Sequence, residues 1–106
     1  MKSAALMGEY LVNCINKLEG DGGHADITHI GNLEDHWRMS VAGAIYQIDN
    51  NISRFYTLDA TGHKRCYLEV VRELHRPPFL RAHLGGRWSD ALIELQECFE
   101  ETLVVA

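Results

Sequence analysis

Two segments predicted to be β-strands each carry basic and aromatic side chains on a single face. Alternate residues of a strand point to one side of a sheet, so Arg65 lies with Tyr67, and Arg81 lies with His83. Arginine binds phosphate, and aromatic rings stack on nucleobases. These four residues therefore predict an anion site for a nucleotide or a nucleic acid. Glu69 falls on the same side as Tyr67 and favours the alternative, a charge-paired solvent surface.

The C-terminal residues contain a dense group of carboxylates. Their spacing predicts an amphipathic helix that begins at Ser89 or Asp90 and continues to about residue 101. No Lys or Arg follows Arg87, so the carboxylates of this helix have no local counter-charge. Such a face predicts docking on a protein partner or on a second copy of the chain. The residues expected to make that contact are Glu94, Glu97, Glu101 and Ile93.

The histidines form no recognisable metal or catalytic pattern. His24, His29 and His36 lie close together, but their spacing fits no compact zinc motif. His63, four residues after Asp59, could support the acid–base chemistry of a hydrolase, although turns commonly carry such residues. The sequence therefore predicts no metal site, no cofactor and no enzymatic activity.

Cysteine usage and hydropathy bear on the compartment. Cys14, Cys66 and Cys98 are widely spaced and form no CxxC pair, which predicts three buried thiols in a reducing environment. No apolar run reaches the roughly 20 residues that cross a bilayer, and the N-terminus has no signal-peptide pattern. We therefore expect a cytoplasmic protein with no membrane partner, in the host cytoplasm if a phage carries the gene.

Charge is divided unevenly along the chain. The 106 residues carry a net charge of −5. Residues 54–87 hold seven Lys and Arg against three Asp and Glu, a net of +4, and the remaining residues hold three against twelve, a net of −9. The overall acidity argues against a molecule that binds nucleic acid over its whole surface, while the local basic region is compatible with an anion site.

The hydrophobic pattern predicts one α+β domain over residues 1–106, with an N-terminal arm at 1–8 and an apolar tail at 103–106. Its predicted element order is β-β-α-β-β-β-α. The central helix should run from Val41 to Asn50 behind a Ser40 cap. Hairpin turns favour a small antiparallel sheet on which both helices pack. The predicted strands cover residues 9–17, 25–30, 54–58, about 64–74, and 79–84.

Short motifs spread over most of the chain resemble a known family. They are LVNCINK, ADITHIGN, Trp37 leading into SVAGAIYQI, FYTLDATGHKRCYLEVV, and the closing strand-turn-helix segment. From about Tyr10 to Cys98, the chain resembles small bacterial and phage-borne proteins catalogued as domain of unknown function 3892. The family usually has a Thr and an Asp where Ala82 and Gly85 or Gly86 stand here. The resemblance implies a compact α+β domain without a known substrate.

These observations lead to two function hypotheses from different classes. The first is a non-enzymatic protein-interaction module that uses the acidic helix and the apolar tail to bind a protein partner or to form a homodimer. By analogy with the phage-borne proteins that it resembles, such a module could act as an anti-defence protein, which modulates or inhibits a protein complex of the host. The second is nucleotide or nucleic-acid binding by the basic face of the sheet.

Overall fold

A computed structural model describes residues 8–18 and 22–98, and nearly half of these residues lie in β-strands. The arm and tail predicted at the chain ends lie almost entirely outside the described residues. The strands are β1 (Gly8–Leu11), β2 (Cys14–Lys17), β3 (Ile27–Asn32), β4 (Trp37–Ser40), β5 (Ser53–Leu58), β6 (Arg65–Val71), β7 (Phe79–Leu84), β8 (Arg87–Ser89) and β9 (Gln96–Glu97). Helix α1 covers Val41–Asp49, and a short 3-10 helix covers His24–Asp26.

The strands form two sheets that are joined near the start of the described chain. The five-stranded sheet has the order β1-β5-β6-β7-β8, and the four-stranded sheet has the order β4-β3-β2-β9. The Val12 N–H donates to the Tyr56 carbonyl at 2.7 Å, and the Asn13 N–H donates to the Gly31 carbonyl at 2.9 Å. The chain therefore passes from one sheet to the other at these two residues, and β1 and β2 belong to different sheets.

Helix α1 contacts both sheets and supplies part of the core between them. Its buried side chains follow helical spacing: Val41, Ala44 and Ile45. Ser40 Oγ accepts a hydrogen bond from the Gly43 N–H at 3.0 Å, so the predicted cap and the predicted start of the helix are confirmed. Fully buried side chains from the rest of the chain complete the core: Val12, Ile15, Ile30, Phe55, Leu80 and Leu92.

The predicted α+β fold with a C-terminal amphipathic helix is wrong. The residues expected to form that helix make turns over 91–94 and then the short strand β9. One turn does begin as predicted, because Ser89 Oγ accepts from the Ala91 N–H at 3.0 Å and the Asp90 carbonyl accepts from the Glu94 N–H at 3.2 Å. The chain then leaves the helical path, and two mixed sheets with one α-helix account for the described residues.

Bonds to β2 explain why this segment extends. Cys98 forms a disulfide with Cys14, with Cα atoms 4.9 Å apart. The Cys98 N–H donates to the Ile15 carbonyl at 3.1 Å, and the Cys98 carbonyl accepts from the Asn16 amide at 3.1 Å. Intrinsic helix preferences differ by less than about 1 kcal/mol per residue, so these bonds override them. The prediction of three thiols is also wrong, since only Cys66 is a free, buried cysteine among the described residues.

The pairing directions also differ from the sequence expectation. Strand β1 runs parallel to β5, and β2 runs parallel to β9, so neither sheet is purely antiparallel. Strands β4 and β8 were not predicted, and the strand predicted over 9–17 is divided between the two sheets. The strands predicted over 54–58 and 79–84 are confirmed to within one residue. Side-chain alternation locates a strand, but it carries no information about the direction of its neighbour.

Candidate functional site

A row of aromatic side chains crosses the outer face of the five-stranded sheet. The register pairs Tyr56 with Tyr67, Tyr67 with His83, and His83 with Trp88. Directly paired residues point to the same face, so the four rings lie side by side on β5, β6, β7 and β8. The ring centroids are 5.8 Å apart for Tyr56 and Tyr67, and 5.2 Å apart for His83 and Trp88. We call these four residues the aromatic row.

Three arginines lie over rings of the aromatic row. The distances from guanidinium carbon to ring centroid are 3.9 Å for Arg54 over Tyr67, 4.2 Å for Arg65 over Tyr56, and 5.3 Å for Arg81 over Trp88. All three distances fall within the range of cation–π attraction. A guanidinium is planar and keeps its charge, so an arginine held on a ring offers both a stacking surface and a phosphate ligand. The aromatic row and these three arginines form the aromatic–arginine face.

One carboxylate organises the β1 side of this face. Glu9 Oε2 lies 3.2 Å from Arg54 Nη1, and Glu9 Oε1 lies 2.6 Å from Arg65 Nη1. The Tyr67 hydroxyl donates to Glu9 Oε1 at 3.0 Å. Hydrogen bonding to Tyr67 raises the pKa of Arg65, so this guanidinium stays charged. Glu9 therefore fixes the positions of two arginines and one ring at once.

The β8 side of the face has its own carboxylates. Asp90 Oδ1 lies 3.5 Å from Arg81 Nη2 and 3.5 Å from His24 Nε2. Glu69 Oε2 lies 3.6 Å from His83 Nδ1. Every arginine of the aromatic–arginine face therefore has a carboxylate within ion-pair distance, and the face is close to neutral. Trp88 remains 46% exposed at the sheet edge.

The structure brings together the four residues predicted for an anion site. Tyr67 and His83 are directly paired, Arg81 is paired with Glu69, and Arg65 lies two positions before Tyr67 on β6. The sequence analysis missed other members of the face: Glu9, Arg54, Tyr56 and Trp88. Alternation along β5 could have found Arg54 and Tyr56, whereas Trp88 lies between the predicted Gly85-Gly86 turn and the predicted helix, where no element was assigned.

The residues predicted to bind a protein partner do not form an acidic helical face. Glu94 is exposed in a turn, and Glu97 is exposed in β9. Ile93 is partly buried against the core, so it is not a free apolar anchor. Glu101 lies outside the described residues. Up to residue 98, where the description of the chain ends, the helix that would have aligned these side chains does not form, because the chain extends along β2.

Asp59 stabilises the turn that contains His63. Asp59 Oδ1 accepts a hydrogen bond from the Thr61 hydroxyl at 2.7 Å. It also accepts from the backbone N–H groups of His63 and Lys64 at 3.3 Å each. These bonds lower the pKa of Asp59 and stabilise its charged form, and the bond from Thr61 has the largest effect. Within residues 8–18 and 22–98, no three His, Cys, Asp or Glu side chains could hold a metal ion.

His24 links the short 3-10 helix to the Arg81 end of the face. Burial lowers the pKa of His24 most, and the neighbouring Arg81 lowers it further, while Asp90 partly offsets both effects. His24 Nδ1 and Arg81 Nε are buried and have no hydrogen-bond partner among the described residues. The folded protein therefore disfavours a proton on His24.

We expect the free energy of unfolding to decrease as the pH falls below about 6.5. The unfolded chain binds a proton at His24 with the ordinary pKa of 6.5, whereas the folded chain binds it only at lower pH. As the pH falls from 6.5 to the lowered pKa of the folded state, protonation of His24 increasingly favours the unfolded chain. Above pH 6.5, His24 is neutral in both states and this destabilisation is absent. Urea unfolding across this range should show a shallower pH dependence in His24→Gln. Identical pH dependence in the two proteins would contradict the assignment.

No helix in the described parts of the chain is long and apolar enough to cross a bilayer. Comparison with known proteins finds no family model, no curated protein and no solved structure that matches the chain. The resemblance to domain of unknown function 3892 therefore stays a prediction, and a function has to be argued from the aromatic–arginine face.

Proposed function

We propose that this protein binds single-stranded nucleic acid through the aromatic–arginine face. The observation that carries the proposal is the aromatic row, which spans four strands in register and has arginines over three of its rings. Nucleobases of a single strand stack on exposed aromatic rings and on guanidinium planes, and arginines bind the phosphates between them. The open face of a sheet accommodates an extended strand of this kind, and Trp88 provides the most exposed ring.

The carboxylates of the face limit the affinity without preventing binding. Exposed ion pairs stabilise a protein by at most about 1 kcal/mol, because water competes for both groups. A phosphate offers arginine a bidentate, charge-assisted partner, so it can replace Glu9 at Arg54 and Arg65. The net charge of −5 adds a repulsive background. We therefore expect weak binding that falls steeply as the salt concentration rises.

A protein partner or a homodimer is the second candidate, and one observation favours it. The face is close to neutral and combines Trp, Tyr and Arg, the residue types that dominate binding energy at protein interfaces. The acidic helix on which this hypothesis first relied does not form over residues 90–98, so the aromatic–arginine face is the surface that supports it. Affinity for a protein partner would depend far less on salt than affinity for a polyanion. Size-exclusion chromatography with light scattering tests the homodimer directly.

Trp88→Ala should weaken binding to a fluorescein-labelled homopyrimidine DNA strand by roughly fivefold to 150-fold. Loss of one stacked base costs about 1 to 3 kcal/mol. Fluorescence anisotropy at low salt measures the affinity, and Tyr67→Ala should show a similar loss. Tyr46→Ala is the matched control, because Tyr46 is 62% exposed but lies on α1, away from the face. No saturable anisotropy change with the unmodified protein would reject the proposal.

Glu9→Gln should tighten binding by about twofold to fivefold, the equivalent of a surface ion pair worth a few tenths to 1 kcal/mol. The substitution keeps an acceptor for Tyr67 but removes the charge that competes with phosphate at Arg54 and Arg65. It should also steepen the salt dependence. An unchanged affinity would show that these two arginines do not contact the phosphates.

We propose a cytoplasmic location for this activity. Single-stranded nucleic acid is available there, and the composition of the chain is that of an ordinary globular protein. A disulfide is uncommon in a reducing compartment, but Cys14 is 1% exposed and Cys98 is 5% exposed, so the folded protein slows its reduction. Thiol–disulfide exchange requires access of the attacking thiolate, which such burial restricts. Cells can be lysed in the presence of an alkylating agent, which traps free thiols immediately. Alkylation of Cys14 and Cys98 in such extracts would show that burial does not protect the disulfide from reduction.

A further inference from the structure

A cleft of about 240 Å³ lies on the opposite side of the five-stranded sheet from the aromatic–arginine face. Phe55 is 1% exposed and forms its deepest wall, while Tyr10 of β1 is 46% exposed at the rim. Trp37 of β4 packs edge-on against Tyr10, with centroids 6.3 Å apart and ring planes at 76°. Met39 and Gln47 complete the side-chain lining. The cleft is therefore predominantly aromatic and is built from both sheets and α1.

The side chain of Gln47 gives this cleft a hydrogen-bond donor. Gln47 Oε1 accepts a hydrogen bond from Ser53 Oγ at 2.7 Å. Its NH₂ group has no partner among the described residues. Because the carbonyl end is occupied, the group left for a ligand is a donor, and it selects a ligand that carries an acceptor.

Among the described residues, no charged side chain points into the cleft. Arg38 borders it, but Arg38 alternates with Trp37 and Met39 along β4 and therefore points to the other face of the four-stranded sheet. Its Nη1 donates to Asn16 Oδ1 at 2.8 Å there. A carboxylate or an ammonium group inside the cleft would lose its hydration without gaining an opposite charge. The lining therefore selects a neutral ligand.

We propose that this cleft binds a neutral, planar, single-ring aromatic molecule that carries a carbonyl oxygen. The ring would pack against Tyr10, Trp37 and Phe55, whose mutual centroid distances are 5.9 to 6.3 Å. The carbonyl oxygen would accept a hydrogen bond from the Gln47 amide. Sites for drug-sized ligands occupy about 300 to 1,000 Å³, so the smaller cleft suits one ring with a short substituent.

Benzamide is the probe that combines these features, and Trp37 is the reporter. In a Trp88→Phe background, Trp37 is the remaining one of the two tryptophans, so its fluorescence reports on the cleft alone. Benzamide should change this signal in a saturable way with a Kd on the order of 1 mM, which is typical of a well-bound fragment. Toluene has the ring but no acceptor and should bind about tenfold more weakly, as expected for the loss of one hydrogen bond.

Gln47→Glu is the matched variant. The new carboxylate still accepts from Ser53 Oγ but donates nothing to the ligand. Benzamide should therefore bind at least about tenfold more weakly, while toluene binding, which uses no hydrogen bond, changes little. Gln47 lies on α1, inside the sheet rather than on its outer face, so oligonucleotide binding should be unaffected. This inference and the proposed function can therefore fail separately.

Three results would overturn the inference. The first is the absence of a saturable signal up to the solubility limit of benzamide. The second is saturation by tetramethylammonium in place of benzamide, because three aromatic walls without a selective donor would act as a cation cage. The third is equal benzamide affinity in Gln47→Glu and in the parent protein, which would remove the basis for a carbonyl-bearing ligand.

Discussion

Replacing both Cys14 and Cys98 with serine should lower the free energy of unfolding by about 4 to 5 kcal/mol. The disulfide joins residues that are 84 positions apart, so it restricts the unfolded chain over most of its length. The total stability of a small domain is only about 5 to 15 kcal/mol, and the double variant should be marginally folded. Urea unfolding of the oxidised parent and of the double variant measures the difference.

Reduction provides an independent control for this prediction. Dithiothreitol should destabilise the parent protein and leave the double variant unchanged, because the variant has no disulfide to reduce. Alkylation of the oxidised parent under denaturing conditions, followed by mass measurement, should modify one cysteine, Cys66. Modification of all three cysteines would show that Cys14 and Cys98 are not bonded, and the expected loss of stability would then have no cause.

Gly31→Ala should destabilise the protein by about 3 kcal/mol, the upper part of the range for overpacking a buried site. An added Cβ at Gly31 would lie 2.6 Å from the Trp37 carbonyl oxygen, 3.1 Å from Cys98 Sγ and 3.2 Å from Arg38 Cα. Two of these three atoms belong to the backbone of β4, so the strand itself would have to shift. Thermal and urea unfolding should both report the loss.

Gly23→Ala is the matched control for this substitution. No heavy atom lies within 4 Å of a Cβ built at Gly23, and its φ of −87° is accessible to alanine. Restricting the unfolded chain at such a position stabilises a protein by up to about 1 kcal/mol, so the control should be neutral or slightly more stable. Similar losses at the two glycines would show that contacts around Gly31 are not responsible.

Elements defined by local bonds could be predicted from the sequence. Helix α1 begins where Ser40 can cap it, and its buried residues follow helical spacing. The turn after β7 uses Gly85 and Gly86 at φ values of 59° and 83°, which glycine adopts at little cost. Each feature depends on residues within a few positions of one another, so the pattern of residue types is sufficient to reveal it.

The candidate face could be predicted only in part, because alternation within a strand is a local pattern and the pairing of distant strands is not. Alternation placed Arg65 with Tyr67 and Arg81 with His83, because it fixes which side chains of a strand share a side. It could not place Glu9 beside Arg54, since the parallel pairing of β1 with β5 connects residues 45 positions apart. The carboxylate that organises the face was therefore assigned to no site.

The sequence by itself determined the central helix, several strands and the grouping of basic and aromatic residues. The C-terminal segment was decided by the tertiary structure alone. Its helical periodicity is real, and its first turn forms. However, Leu92 is fully buried, β9 pairs with β2, and Cys98 is bonded to Cys14. Helical preference contributes less than about 1 kcal/mol per residue, and a disulfide that closes so long a loop contributes several, so the distant bond prevails.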